Sequence, residues 1–233
     1  MECIILAGGL GTRLRKVVSD RPKCMANVSG RPFLFHIFEY LKKEQINHVV
    51  LSVGFKYEII EDWVKKTNWP FKISFAVEKE PLGTGGAVKY ALNFTKDNHV
   101  IILNGDTFFN INLRSFYNKH IFSKADLSVA LKPMNDFDRY GNVLLNSQNQ
   151  ITSFSEKEYC YEGKINGGVY LLKRNNLFKN FKTKFSFEND FLSKQFNNFK
   201  IYGVIFDTYF IDIGIPEDYE IANEYFNQML DES

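Results

Sequence analysis

The chain is short of cysteine, of net charge and of long apolar runs, and each shortage removes a class of function. Its cysteines are Cys3, Cys24 and Cys160. They are odd in number and lack metal-ligand spacing, so reduced cytosolic thiols are the simplest account. The formal net charge is only +2, which gives no general basic field for nucleic acid and requires any anion site to be local. The apolar run 3–7 is too short for a signal peptide, and no run approaches the length of a membrane span. A cytoplasmic protein with no membrane or nucleic-acid partner is the expectation. Linkers, internal repeats and low-complexity stretches are missing too, which favours a single domain over 1–233.

What is present is a composition suited to a substantial core, 45% hydrophobic and 24% charged. Phenylalanine is frequent, with 23 copies, and reads as compositional bias. Apolar, β-branched runs predict strands at 2–6, 48–53, 72–77, 99–103, 126–132, 142–145, 151–154, 168–173, 200–205 and 209–213. Amphipathic stretches predict helices at 32–44, 57–67, 84–93, 113–123, 188–196 and 216–230. Phe33, Ile37, Tyr40 and Leu41 share one face of the first, and Pro32 and Pro216 suit opening helical turns. The first half therefore reads β-α-β-α-β-α-β, an α/β fold with a mainly parallel sheet covered on both faces. The strand-rich second half predicts a mixed or antiparallel annex.

The strand Ile4-Ile5-Leu6 runs into the glycine-rich turn Ala7-Gly8-Gly9-Leu10-Gly11-Thr12-Arg13, and Pro22-Lys23 follows. Glycines there let the backbone come close to a phosphate chain, and Arg13 and Lys23 supply cations for the same anion. A buried strand feeding such a loop is how α/β proteins hold nucleotides.

Later segments add to this. Glu80 and Gly85 lie in Glu80-Pro81-Leu82-Gly83-Thr84-Gly85-Gly86, which opens a helix. Glu80 reads either as an acceptor for the N1–H and 2-amino donors of guanine or as a solvated acid before a helix. Asp106 ends the buried strand of Asn104-Gly105-Asp106, at the strand end where open α/β sheets bind ligands. It suits a hard cation such as Mg²⁺, or a turn. Asp212 stands in an apolar strand and needs a partner, either a metal shared with Asp106 or a buried Arg or Lys. Glu156-Lys157 offers an acceptor for sugar hydroxyls and a cation for a second phosphate. Asn166-Gly167-Gly168 and Tyr140-Gly141 suit close approach to a polyhydroxyl ring.

Taken together, LAGGLGTRL, Pro22-Lys23, EPLGTGGA, NGD, EK, NGGVY and IDIG resemble, in order and over nearly the whole chain, the sugar-1-phosphate nucleotidylyltransferases. EPLGTGGA looks most like the guanylyltransferases near mannose-1-phosphate guanylyltransferase. The best overall match is the D-glycero-α-D-manno-heptose 1-phosphate guanylyltransferase group. The resemblance implies a Rossmann-like, glycosyltransferase-A-type three-layer sandwich. It implies a nucleotide part over about 1–110, a sugar part over about 111–215 and a closing helix at 216–230. Larger relatives carry a C-terminal left-handed β-helix that this sequence lacks, so a second acyltransferase activity is not expected. In the molybdenum-cofactor guanylyltransferases the lysine follows the arginine much more closely, which makes them a poor match.

The implied reaction joins GTP and a sugar 1-phosphate to give an NDP-sugar and pyrophosphate. It assigns Leu6, Ala7, Gly8, Gly9, Gly11 and Thr12 to the nucleotide. Arg13 goes to the leaving pyrophosphate and Lys23 to the α-phosphate. Asp106 and Asp212 hold Mg²⁺, while Glu80 and Gly85 read the base. Lys157 orients the sugar phosphate, and Gly141, Glu156, Asn166 and Gly167 hold the sugar. Other sugars or bases, a non-catalytic sugar-nucleotide sensor and a homodimer stay open at this level.

Overall fold

The computed structural model describes residues 1–9 and 21–231. Among them the central sheet has nine strands. Its parallel half comprises β1 (Glu2–Leu6), β4 (His48–Val53), β5 (Lys72–Val77) and β6 (His99–Asn104). β1 lies between β4 and β6, and β5 flanks β4. Small two-residue strands β2 (Asn27–Val28) and β3 (Arg31–Pro32) form a hairpin beside this half. The joining helices are α1 (Phe33–Lys43), α2 (Tyr57–Lys65) and α3 (Gly83–Ala91).

Strands β1 and β4 are buried runs because both faces are covered. Alternate residues point to opposite layers. Cys3, Ile5, Val49, Leu51 and Ile101 meet Phe33, Ile37, Phe38 and Leu41 of α1. Ile4, Val50, Ala76 and Ile102 face Val88 and Ala91 of α3 and a cluster of Phe178, Phe185, Phe187 and Phe191. Full burial of each large aliphatic side chain contributes about 1.5–3 kcal/mol. The abundant phenylalanines thus have a place: Phe178 meets Phe185, Phe187 and Phe191 with ring centroids 5.6, 6.1 and 5.1 Å away.

The second half begins with β7 (Thr107–Phe109) and α4 (Leu113–Ser123). The side chain of Asn112 caps α4 by accepting from the Ser115 N–H at 2.6 Å. Buried His120 of α4 lies with Nε2 3.0 Å from His99 Nδ1 and Nδ1 2.8 Å from Ser128 Oγ. Strands β8 (Leu127–Phe137), β9 (Gly141–Leu145), β10 (Ile151–Lys157), β11 (Cys160–Lys173) and β12 (Ile201–Ile205) extend the sheet. β11 runs antiparallel to both β6 and β8, and β12 lies parallel to β8. This is the mixed annex expected from the sequence. A π-helical stretch (Phe187–Leu192) leads into the short α5 (Ser193–Gln195), β13 (Phe210–Asp212) pairs with β7, and α6 (Pro216–Asp231) ends the fold.

Two expected strands proved short. The run 126–132 continues to Phe137, and the run 168–173 begins at Cys160. Together they make a long two-stranded ribbon, from Cys160↔Phe137 to Leu172↔Leu127. The expected helix 188–196 is instead π-helical over most of its length. No helix among the described residues is long and apolar enough to cross a membrane.

Candidate active site

A cleft of about 1580 Å³ opens at the C-terminal ends of β1, β5 and β6. That exceeds the usual size of a pocket for one small ligand and leaves room for two. One wall carries Leu6, Ala7, Gly8 and Gly9 with the segment from Glu78 to Thr84; the other carries Arg139, Tyr140, Gly141, Lys157 and Asn166. Gly11, Thr12 and Arg13 lie outside the described residues, as does the side chain of Glu156.

Between the walls three distant positions converge. Lys23 sits in a 3-10 turn whose next residues, Cys24 and Met25, are buried and fix its direction. Its Nζ lies 2.6 Å from Asp106 Oδ2 and 3.3 Å from Asp212 Oδ1. Asp106 follows Gly105, whose N–H donates to the Leu6 carbonyl at 3.0 Å. A Cβ on Gly105 would stand 2.6 Å from that same carbonyl oxygen, so only glycine lets the two strand ends close up. Asp212 ends β13, opposite Thr107 of β7, and its Oδ1 also accepts the Gly214 N–H at 2.8 Å. Burial, and then the neighbouring Asp106, pushes the Asp212 carboxyl above its ordinary range, against the pull of Lys23. Burial also pushes the Cys24 thiol up to about 12, with Asp106 adding to it, so this cysteine beside the site is an inert thiol.

The partner Asp212 required is therefore Lys23. The two carboxylates reach one common point, as a shared cation needs. No group of three or more His, Cys, Asp or Glu placed to hold a metal ion occurs among the described residues. Two carboxylate ligands with substrate oxygens completing the shell is a donor set that fits Mg²⁺, whereas zinc would want nitrogen or sulfur.

Other expected residues divide. Asn166 faces the cleft, donating from Nδ2 to Tyr170 Oη at 2.8 Å and accepting the Gly168 N–H at 3.0 Å. Gly141 and Lys157 are cross-strand partners, so they arrive together. Glu80 is exposed at the cleft rim. Two of the expected glycines, Gly85 and Gly167, are buried and are not among the residues lining the cleft. A Cβ on Gly85 would meet the Phe185 ring at 2.2 Å, and its N–H already donates to the Phe185 carbonyl at 3.0 Å. A Cβ on Gly167 would meet the Phe109 ring at 2.3 Å. Both glycines sit in close packing, and Gly83, Thr84 and Ala87 are the α3 residues that line the cleft.

Sequence reasoning missed Glu78, Arg139 and Asp218. Glu78 follows the last residue of β5; its Oε1 accepts from Ser52 Oγ at 3.2 Å and its Oε2 from the Leu82 N–H at 3.1 Å. It stands beside Gly8, where an added Cβ would come within 3.2 Å of Oε1. Its position at a strand's C-terminal end was the available signal. The Arg139–Asp218 pair, at 2.9 Å, had no local signal.

Comparison with known proteins fits this geometry. The chain is 50% identical to the D-glycero-alpha-D-manno-heptose 1-phosphate guanylyltransferase of Aneurinibacillus thermoaerophilus, over 96% of this chain and 97% of that protein. It is also 50% identical to the protein of the same name from Campylobacter jejuni, over 94% and 97%. Among solved structures, HddC from Yersinia pseudotuberculosis complexed with GMP-PN superposes with a TM-score of 0.88 at 39% identity, covering 97% of this chain and 99% of that one. The family model described as nucleotidyl transferase matches residues 2–228, and the chain belongs to that family.

Proposed function

We propose that the chain transfers GMP from GTP to D-glycero-α-D-manno-heptose 1-phosphate, giving GDP-heptose and pyrophosphate. Two like-named relatives at 50% identity over nearly their full lengths carry the choice of base and sugar. The convergence of Lys23, Asp106 and Asp212 in a two-ligand cleft carries the chemistry. An oxygen of the sugar phosphate attacks the α-phosphorus of GTP, and the bond to the β-phosphate oxygen breaks as pyrophosphate leaves. The protein's work is positioning and charge neutralisation.

In this reading Leu6, Ala7, Gly8 and Gly9 hold the nucleotide at the end of β1, with Gly11, Thr12 and Arg13 on its phosphates. Glu80 reads the base. Lys23 holds the α-phosphate, and Lys157 orients the sugar phosphate with Glu156, Asn166 and Gly141 on the sugar. Asp106 and Asp212 would hold Mg²⁺, which when bound offsets the repulsion between the two anions. The setting is the cytoplasm, in supply of GDP-heptose for capsule and other surface glycans.

The test is pyrophosphate release from the purified chain across four nucleotides and several sugar 1-phosphates. GTP with the heptose phosphate should be preferred. Faster turnover with UTP or dTTP, or with mannose 1-phosphate, would replace the base or the sugar in this reading.

A further inference from the structure

Arg139 and Asp218 form a second ion pair in the cleft, apart from the Lys23 centre. Asp218 lies in the first turn of α6. Arg139 precedes Tyr140 and Gly141, at the turn between β8 and β9. The guanidinium meets the carboxylate as a fork, Nη1 to Oδ2 at 2.9 Å and Nη2 to Oδ1 at 3.3 Å. The two partners differ in exposure: the Asp218 side chain is 12% exposed and that of Arg139 is 46% exposed.

This asymmetry is informative. Asp218 is occupied with its arginine, whereas Arg139 offers five N–H donors and gives only two of them to Asp218. Both residues line the cleft. Arg139 lies two positions from Gly141, which pairs across the strands with Lys157. Tyr140, next to Arg139, packs its ring on Phe210 at 5.9 Å, two positions before Asp212. The guanidinium therefore belongs to the wall opposite Gly8 and Gly9. A sugar phosphate arriving there would otherwise face Asp212 and Asp218 together, and bare carboxylates beside an anion site repel their ligand. A carboxylate in that place makes sense if it presents a cation to the ligand.

We infer that Arg139 is a positioning residue for the sugar 1-phosphate, its guanidinium held by Asp218 so that its remaining donors take phosphate oxygens. The inference rests on the proposed transferase reading. It is tested by steady-state kinetics of pyrophosphate release with GTP and the heptose 1-phosphate. Arg139→Gln should raise KM for the sugar phosphate at least about tenfold, the loss of a charge-assisted contact, while KM for GTP stays within about twofold of wild type. Arg139→Lys should restore part of the loss. Asp218→Asn should act in the same direction and add little on top of Arg139→Gln, since it works through that residue. An unchanged sugar-phosphate KM in a folded Arg139→Gln variant would overturn the inference, as would a rise confined to the KM for GTP.

A second measurement needs no variant. Phenylglyoxal labelling of the wild-type chain, mapped by peptide mass, should show Arg139 protected by the sugar 1-phosphate and not by GTP. Equal labelling with and without the sugar phosphate would count against the role. If the wild-type chain releases no pyrophosphate with any sugar 1-phosphate, the transferase reading fails, and the labelling still judges Arg139 as a sugar-phosphate ligand.

Discussion

Lys23 and Asp212 stand 189 positions apart in the chain and meet at 3.3 Å. Asp106 closes the group at 2.6 Å from the same ammonium. A cation held between two acids, in a cleft sized for two ligands, ties the fold to phosphoryl chemistry. Lys23→Ala should therefore lower kcat by about a hundredfold or more, with circular dichroism unchanged. Turnover close to wild type would remove Lys23 from the reaction.

The acids should separate from the lysine in their metal response. Asp106→Asn and Asp212→Asn should each shift the Mg²⁺ concentration for half-maximal turnover upward by about tenfold or more. An unaltered Mg²⁺ titration in both variants would exclude the shared cation.

Two nearby acids are expected to respond differently to substitution. Glu80 is exposed at the rim, whereas both carboxylate oxygens of Glu78 accept hydrogen bonds, from Ser52 and from the Leu82 N–H. Glu80→Gln should erode the preference for GTP over ATP, UTP and CTP. Glu78→Gln should weaken the binding of every nucleotide, because it loosens the 78–82 turn. A ranking of the four nucleotides that survives Glu80→Gln would take that residue out of base selection.

Gly85→Ala tests the packing role of a motif glycine. The added methyl would overlap the Phe185 ring, and such overpacking costs about 1–3 kcal/mol. Thermal denaturation should show a lower Tm while the nucleotide ranking stays as in wild type. A changed ranking at unchanged Tm would return Gly85 to base recognition.

His120 predicts an acid limit to stability. Burial, then the charges of His99 and Lys173, lowers its pKa in the folded chain from 6.5 to about 4. Below pH 6.5 the unfolded chain takes up a proton that the folded chain refuses. Stability from this residue is therefore complete above pH 6.5 and falls as the pH drops toward 4, by on the order of 3 kcal/mol. Urea midpoints at pH 7.5 and 4.5 should differ more for wild type than for His120→Gln. Equal differences would show that His120 titrates normally.

Most of the parallel half was legible because β1, β4 and β6 are buried on both faces and read as largely apolar runs, while the edge strand β5 showed the alternation of a half-covered strand. The predicted bounds of β1, β4 and β5 match the observed ones. The outer ends of β8 and β11 were not legible for the opposite reason. Pro133, Asn135, Glu162 and Gly163 stand where the ribbon extends away from the covered part of the sheet, and only their cross-strand partners reveal them as strand. Glycine motifs showed where the backbone is crowded but not which side the crowding comes from. Gly105 closes on β1 as a strand-end reading would have it, whereas Gly85 and Gly167 meet aromatic rings. Arg139 and Asp218 lie 79 positions apart, and no periodicity links such a pair.

The convergence of residues 23, 106 and 212 also has a consequence for synthesis of the chain. A ribosome delivers the second acid 189 residues after the lysine. Until β13 pairs with β7, a growing polypeptide has not brought Asp212 to Lys23 and Asp106. If the three side chains do the chemistry proposed above, turnover would count only molecules in which the two halves of the fold have joined.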